Sequence, residues 1–191
     1  MAGKTDPEFE FVLPDLRSLF ADLKAFQPKL ATDVRRDLRR SGDDIIAKQR
    51  AILTGRLPGP IRKTGSELRM VYPKGRKPYL AIRNVYETGE GSDGGVDDLR
   101  SKIRAGLKTS VTSGKTRSSV QIKTTGPRND GYNMAKVWQA RRFRHPIFGH
   151  LGWMDQQGMP YFWGPAYDGV EDMQRKVQKI LDNAVATLSK G

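Results

Sequence analysis

The sequence predicts an α+β fold: N-terminal and C-terminal amphipathic helices packed on a small antiparallel β-sheet, with a long arm or hairpin insertion. Three observations lead there. Leu16, Leu19, Leu23, Leu30, Val34, Leu38, Ile45 and Ile52 recur at steps of three, four or seven, which at about 100° per residue puts them on one helix face. Val170, Met173, Val177, Ile180, Leu181, Ala184 and Leu188 repeat the pattern near the other end. Between them, Val120 and Ile122 alternate with Ser119, Gln121 and Lys123, the two-residue period of a strand with one apolar face and one wet face.

Residues 1–13 read as an N-terminal arm and residues 14–191 as a single domain. The first helical pattern opens at Pro14 and is interrupted by Pro28. The spacing therefore predicts a short helix to Phe26 and a longer one from Pro28, where a missing N–H costs little, ended by Gly55, Pro58, Gly59 and Pro60. Residues 55–95 hold turn-rich GRLPGP, YPKGRKP and ETGEGSDGG around β-prone runs at Leu68–Tyr72 and Tyr79–Tyr86, which predicts a long arm or hairpin with GEGSDGG as a flexible tip. The glycines of that segment lack the strand-loop-helix context and the lysine of a P-loop.

Asp97 and Asp98 are placed to cap a short helix with Leu99 and Ile103 inward and Arg100, Lys102 and Arg104 outside. A hairpin follows, with Ser113-Gly114-Lys115 as its turn, and GPRNDGYN at 126–133 reads as a loop. Asp168 with Glu171 three residues on is a capping-box variant that predicts the start of the last helix.

Composition narrows the function. The chain has 191 residues and no cysteine, which removes disulfides, thiolate metal sites and cysteine nucleophiles. An apolar fraction of 37% and a mean hydropathy of −0.63 are low for a compact domain of this length and point to arms or long loops. No apolar run approaches the ~20 residues a bilayer requires, and MAGKTDPEFEF lacks a signal-peptide core, so a soluble cytoplasmic chain without a membrane partner is expected. Lysine and arginine number 34 against 21 acids, a net charge of +13, and such a field attracts polyanions, nucleic acid foremost.

Catalytic constellations are hard to assemble, and no enzymatic activity or cofactor is expected. His145 and His150 stand five apart, not at the i, i+4 spacing of a helical zinc site, and read as structural or surface histidines. Asp43-Asp44, Asp97-Asp98 and Glu171-Asp172 are adjacent pairs explained by helix N-terminal charge more simply than by a two-metal nuclease site. No serine sits in a Gly-x-Ser-x-Gly or Ser-x-x-Lys pattern. Arg35, Arg36, Arg39 and Arg40 fall opposite the apolar stripe of their helix and are candidates to face DNA or a partner. Trp138, Phe143, Phe148, Trp153, Tyr161, Phe162 and Trp163 interleave with Arg141, Arg142 and Arg144, and read as a packed core with the arginines left outward, in preference to a single-strand stacking platform.

The run RRFRHPIFGHLGWMDQQGMPYFW resembles a block found in neck or tail-completion proteins of siphophages, tailed bacteriophages in which minor virion proteins connect head to tail. Its matching positions are Arg144, His145, Pro146, Ile147, Phe148, Gly149, Trp153, Gln156 or Gln157, Pro160 and Phe162. The helix and basic hairpin of DDLRSKIRAGLKTSVTSGKTRSSVQI and the N-terminal arginine-rich helix are similar to the same family, whereas 55–95 is longer than its usual connection. The resemblance implies a non-enzymatic α+β subunit of a homo-oligomeric ring in the virion neck, assembled in the host cytoplasm. It further implies six or twelve copies around the double-stranded DNA channel, six favoured by the six-fold tail, between the head-tail connector or stopper and the tail terminator. A basic double-stranded DNA-binding protein is the alternative, and the tail terminator subunit itself is a further one.

Overall fold

The structure, a computed structural model, describes residues 7–13, 15–91, 99–114, 118–129, 131–146 and 152–189. Asp97, Asp98, Lys115, Phe148, Gly149 and His150 lie outside these residues, so the capping pair, part of the hairpin turn and part of the 144–163 block have no structural description. The architecture is α+β, with antiparallel sheets and helices toward both ends.

The core sheet has three strands, β1 (Glu8–Val12), β4 (Leu107–Ser113) and β5 (Ser118–Thr124), in the order β1-β5-β4. Part of the expected N-terminal arm is thus an edge strand, with Phe9 opposite Ile122 and Phe11 opposite Val120. Against the apolar face pack α1 (Leu16–Phe26), α2 (Pro28–Arg40), α3 (Asp43–Thr54) and α4 (Leu99–Gly106). Residues 126–133, expected as a loop, hold the two-residue strands β6 (Arg128–Asn129) and β7 (Tyr132–Asn133), paired antiparallel, and lead into a short helix, α5 (Met134–Gln139). The last helix, α6 (Trp163–Leu188), lies across α2 and α3. Leu23, Leu38, Leu53, Ile103, Val120, Ile122 and Phe162 are fully buried where these layers meet.

The wet face expected of β5 is largely absent, with only Lys123 partly exposed. Ser119 and Gln121 are buried on the central strand beneath flanking side chains, and the Gln121 amide donates to Glu10 Oε1 at 2.8 Å. A central strand loses its polar exposure to its neighbours, which an alternating pattern cannot reveal.

The single helix expected from Pro28 is two helices. The chain breaks at Ser41-Gly42, where a Cβ on Gly42 would lie 2.4 Å from Thr109 Oγ1 and 3.1 Å from Ile122, so the break is what brings backbone onto the sheet. The step of seven from Leu38 to Ile45 preserves the helical phase across it and hides it from a periodicity argument.

The last helix starts at Trp163, five residues before Asp168, with Pro165 in its first turn where the absent N–H breaks no bond. Asp168, Glu171 and Asp172 are therefore helix-interior residues, exposed, and do not form a capping box. Gly169 lets α6 approach α3, since a Cβ there would lie 2.5 Å from Ile45 Cγ1. Lys176 of α6 and Asp44 of α3 form an exposed ion pair, and the hydrogen bond from Lys176 holds the Asp44 carboxyl below its ordinary range.

Arg100 was expected outside and is buried. Its guanidinium donates to the Gly55 carbonyl at 2.6 Å, at the C-terminus of α3, while Arg104 donates to Thr54 Oγ1 at 2.9 Å. Helix ends leave carbonyls without partners, and Arg100 of α4 meets one of them.

Candidate functional site: an arm and its outward sheet face

The insertion is a two-stranded ribbon, β2 (Pro60–Val71) and β3 (Tyr79–Thr88), in antiparallel register from Ile61 opposite Thr88 to Val71 opposite Tyr79, with Thr64 as an extra residue that bulges β2. Its turn is YPKGRKP at 72–78, where Gly75 takes a positive φ of 75°. The described residues of GEGSDGG, 89–91, lie at the arm's base and not at its tip, and a Cβ on Gly59 would lie 2.1 Å from the Gly89 carbonyl oxygen, while residues 92–95 lie outside the described residues.

At that base the ribbon is extended into a four-stranded sheet by β8 (Arg142–Pro146) and β9 (Trp153–Gln157), in the order β3-β2-β9-β8. Pro60 and Ile61 pair with Gln156 and Asp155. The sequence carries β-prone signal for the arm but nothing that joins it to the 144–163 block.

This joining divides the arginine and aromatic residues between two faces. On the inner face Phe143 meets Trp138 edge-on at 5.3 Å and tilts against His145 at 5.9 Å. On the outward face the Arg142 guanidinium lies 4.3 Å over the Tyr86 ring and that of Arg144 5.9 Å over Trp153, both within cation–π range. Thr88 donates to Gln157 Oε1 at 2.8 Å, Asn84 to the Tyr86 hydroxyl at 3.3 Å, and Ser66 to Asn84 Oδ1 at 3.2 Å. The polar ladder therefore runs from β8–β9 out along the arm.

Trp153, 60% exposed, is not a core residue, contrary to the packed-centre expectation, and Pro160 is exposed too. The core part of the block is Tyr161-Phe162, both fully buried. The Phe162 N–H donates to Gln139 Oε1 at 2.7 Å, its carbonyl accepts from Gln49 Nε2 at 3.1 Å, and the Tyr161 hydroxyl donates to the Ala135 carbonyl at 3.3 Å. Pro146 sits in β8 opposite Trp153.

The helical arginines do not act as one patch. Arg35 is half-buried, donates to Ser113 Oγ at 2.9 Å and lies 4.8 Å over Phe20, so it fastens α2 to the core. Arg36 pairs with Asp33 at 2.8 Å. Arg39 and Arg40 are exposed in the last turn of α2, where positive charge complements the helix dipole, and they and Arg141 are cations open to solvent.

Beyond Asn84 the outward face becomes apolar. Leu68 opposite Ile82 and Met70 opposite Leu80 are 67%, 73%, 47% and 62% exposed. Residues 60–88 carry seven lysines and arginines against Glu67 and Glu87, a net +5. Such a face on a ribbon of only two strands is a candidate interaction surface, because isolated hairpins are marginal and soluble chains seldom leave contiguous apolar patches bare.

Among the described residues no three histidine or acidic side chains gather where they could hold a metal ion, and no helix is long and apolar enough to cross a membrane. Comparison with protein-family models, curated proteins and solved structures finds no match to this chain.

The Tyr86 junction has a spectroscopic consequence. Its phenol is held below the ordinary value near 10, first by the hydrogen bond from Asn84 and then by that from Arg142. A tyrosine-resolved NMR titration should show Tyr86 ionising at lower pH than in Asn84→Ala or Arg142→Ala, where it moves back up. The sign for stability follows: the contribution is absent at neutral pH, grows as pH rises through the lowered value and is complete above the ordinary one. An unmoved titration in both variants would contradict the geometry.

Proposed function

We propose that the chain is a non-enzymatic structural subunit of a tailed-bacteriophage neck, forming a ring that joins the DNA-filled head to the tail around the DNA channel. The observation that carries this reading is the pairing of a small α+β core with a long exposed arm, cationic and apolar in turn, an arrangement suited to holding neighbours in an assembly. The siphophage-like block adds support, and half of it builds the junction between arm and core. The net charge of +13 suits a surface beside duplex DNA, with Arg39, Arg40 and Arg141 the exposed cations nearest to the expectation from sequence.

On this reading the connector or stopper and the tail terminator are the partners, and the subunit acts in the virion after assembly in the host cytoplasm. Removing the chain from an assembling phage leaves filled heads and finished tails that do not join. Joined, infectious particles made without it would defeat the reading.

The exposed arginines also favour non-specific duplex binding by the free chain. That binding should be weak at physiological salt and fall steeply as salt rises, because it comes from counterion release and not from base contacts. Tight, sequence-dependent binding would instead point to a dedicated DNA-binding protein.

A further inference from the structure

We propose that the distal arm of one copy docks in the groove between β1 and α6 of the next copy, a head-to-tail contact between different surfaces of the same chain. The inference deepens the ring reading by naming its interface.

Complementarity carries it. The arm has a net charge of +5 over residues 60–88 and an apolar quartet on its outward face, Leu68, Met70, Leu80 and Ile82. The β1–α6 face is acidic within a basic protein: its two elements hold six aspartates and glutamates against three lysines and arginines, a net −3, with Asp168, Glu171 and Asp182 exposed. It also has exposed apolar side chains, Val12 at 66%, Tyr167 at 64% and Val185 at 55%. Phe9 of β1 approaches Tyr167 of α6 to 6.5 Å, and along the same seam an open groove of about 520 Å³ is lined by Glu10 to Leu13 of β1 and its end and by Gln174, Arg175, Val177 and Gln178 of α6.

The arm's own base cannot supply the missing cover. There the outward face is occupied by Arg142 on Tyr86 and Arg144 on Trp153, and the apolar quartet lies beyond it. An apolar centre flanked by opposite charges on the two partners is the usual composition of a protein interface, whereas duplex DNA offers phosphates to the cations and nothing to the quartet. Because the two surfaces differ, each bound copy presents a fresh arm, and repetition of the contact closes a ring or extends a filament.

The absence of cysteine makes a clean test. Full-length Ile82→Cys and Gln178→Cys chains, distinguishable by size, are mixed under mild oxidation. The disulfide joining the two different variants should dominate, and each variant alone should give little. A dominant Ile82→Cys self-cross-link, which means arm on arm, overturns the proposal, as does the absence of any cross-link.

In parallel, Leu68→Ser with Ile82→Ser should weaken self-association about tenfold or more in sedimentation, with thermal unfolding unchanged because neither side chain belongs to the core. Asp168→Lys with Glu171→Lys should weaken it too. If the arm variant loses duplex binding but keeps self-association, the arm is a nucleic-acid element and the docking is wrong. Rings that form without the arm-to-groove cross-link defeat the docking alone. The cross-link in a chain absent from the virion neck defeats the neck reading alone.

Discussion

Phe162→Ala is expected to destabilise the domain by about 3–5 kcal/mol, the range for removing a fully buried aromatic and leaving a cavity. Phe162 is fully buried and stacks edge-on with Tyr161 at 6.2 Å and with Trp163 at 5.1 Å. Its backbone is fixed by Gln139 on one side and Gln49 on the other, so the chain cannot collapse readily into the space. Domains of this kind have total stabilities of about 5–15 kcal/mol, so the loss removes from about a fifth to all of what is available. Chemical denaturation read by circular dichroism measures it. Phe162→Leu should recover much of the loss, and a shift under about 1 kcal/mol for the alanine variant would mean that the core is not centred there.

Gly158→Ala should cost about 3 kcal/mol, large for a single methyl group. A Cβ at this position would lie 1.8 Å from the Ala140 carbonyl oxygen and 3.2 Å from that of Trp138. Both are backbone atoms, so no rotamer change relieves the clash. The end of β9 must move away from the segment after α5 (Met134–Gln139), stretching the bonds from Gly158 N–H to Arg141 and from Met159 N–H to Trp138, now 3.0 and 2.9 Å. Those bonds close the loop that carries Arg142, Arg144 and Trp153, so the variant should also loosen the arm's base, which hydrogen exchange at β8 and β9 would report. Unchanged stability and exchange would show that the approach of the two segments is not required.

The helices were legible because burial imposes a period. Leu16, Leu23, Val34, Leu38, Ile45, Met173, Val177 and Ala184, picked out by spacing, are all buried. The arm's strands were legible from β-branched and aromatic runs broken by Pro-Lys-Gly-Arg-Lys-Pro. Contacts between distant segments were not. Nothing in the order of residues says that Arg142 covers Tyr86, that Arg100 caps α3 or that β1 closes the core sheet, because each depends on where whole elements come to lie. Two local signals also misled. Asp168 with Glu171 reads as a cap, yet α6 opens five residues earlier at Trp163, since Pro165 suits a first turn. The stretch 141–163 reads as one packed aromatic core with its arginines outward, yet strand alternation sends Trp153 outward beside Arg142 and Arg144 while Phe143 goes inward.

For the candidate site, the charged residues were visible one by one and their grouping was not. Arg35 and Arg36 are spent on intramolecular contacts, whereas the apolar quartet at 68–82 becomes a patch only once the register places Leu68 beside Ile82 and Met70 beside Leu80.

The most direct measurement of the proposed role is an electron cryo-microscopy reconstruction of the neck of a phage that encodes this chain. The proposal places the subunit in a closed ring of six or twelve copies around the DNA channel between connector and tail, with each arm lying on its neighbour. A neck whose density is fully assigned without this chain, in particles that are complete and infectious, would contradict it.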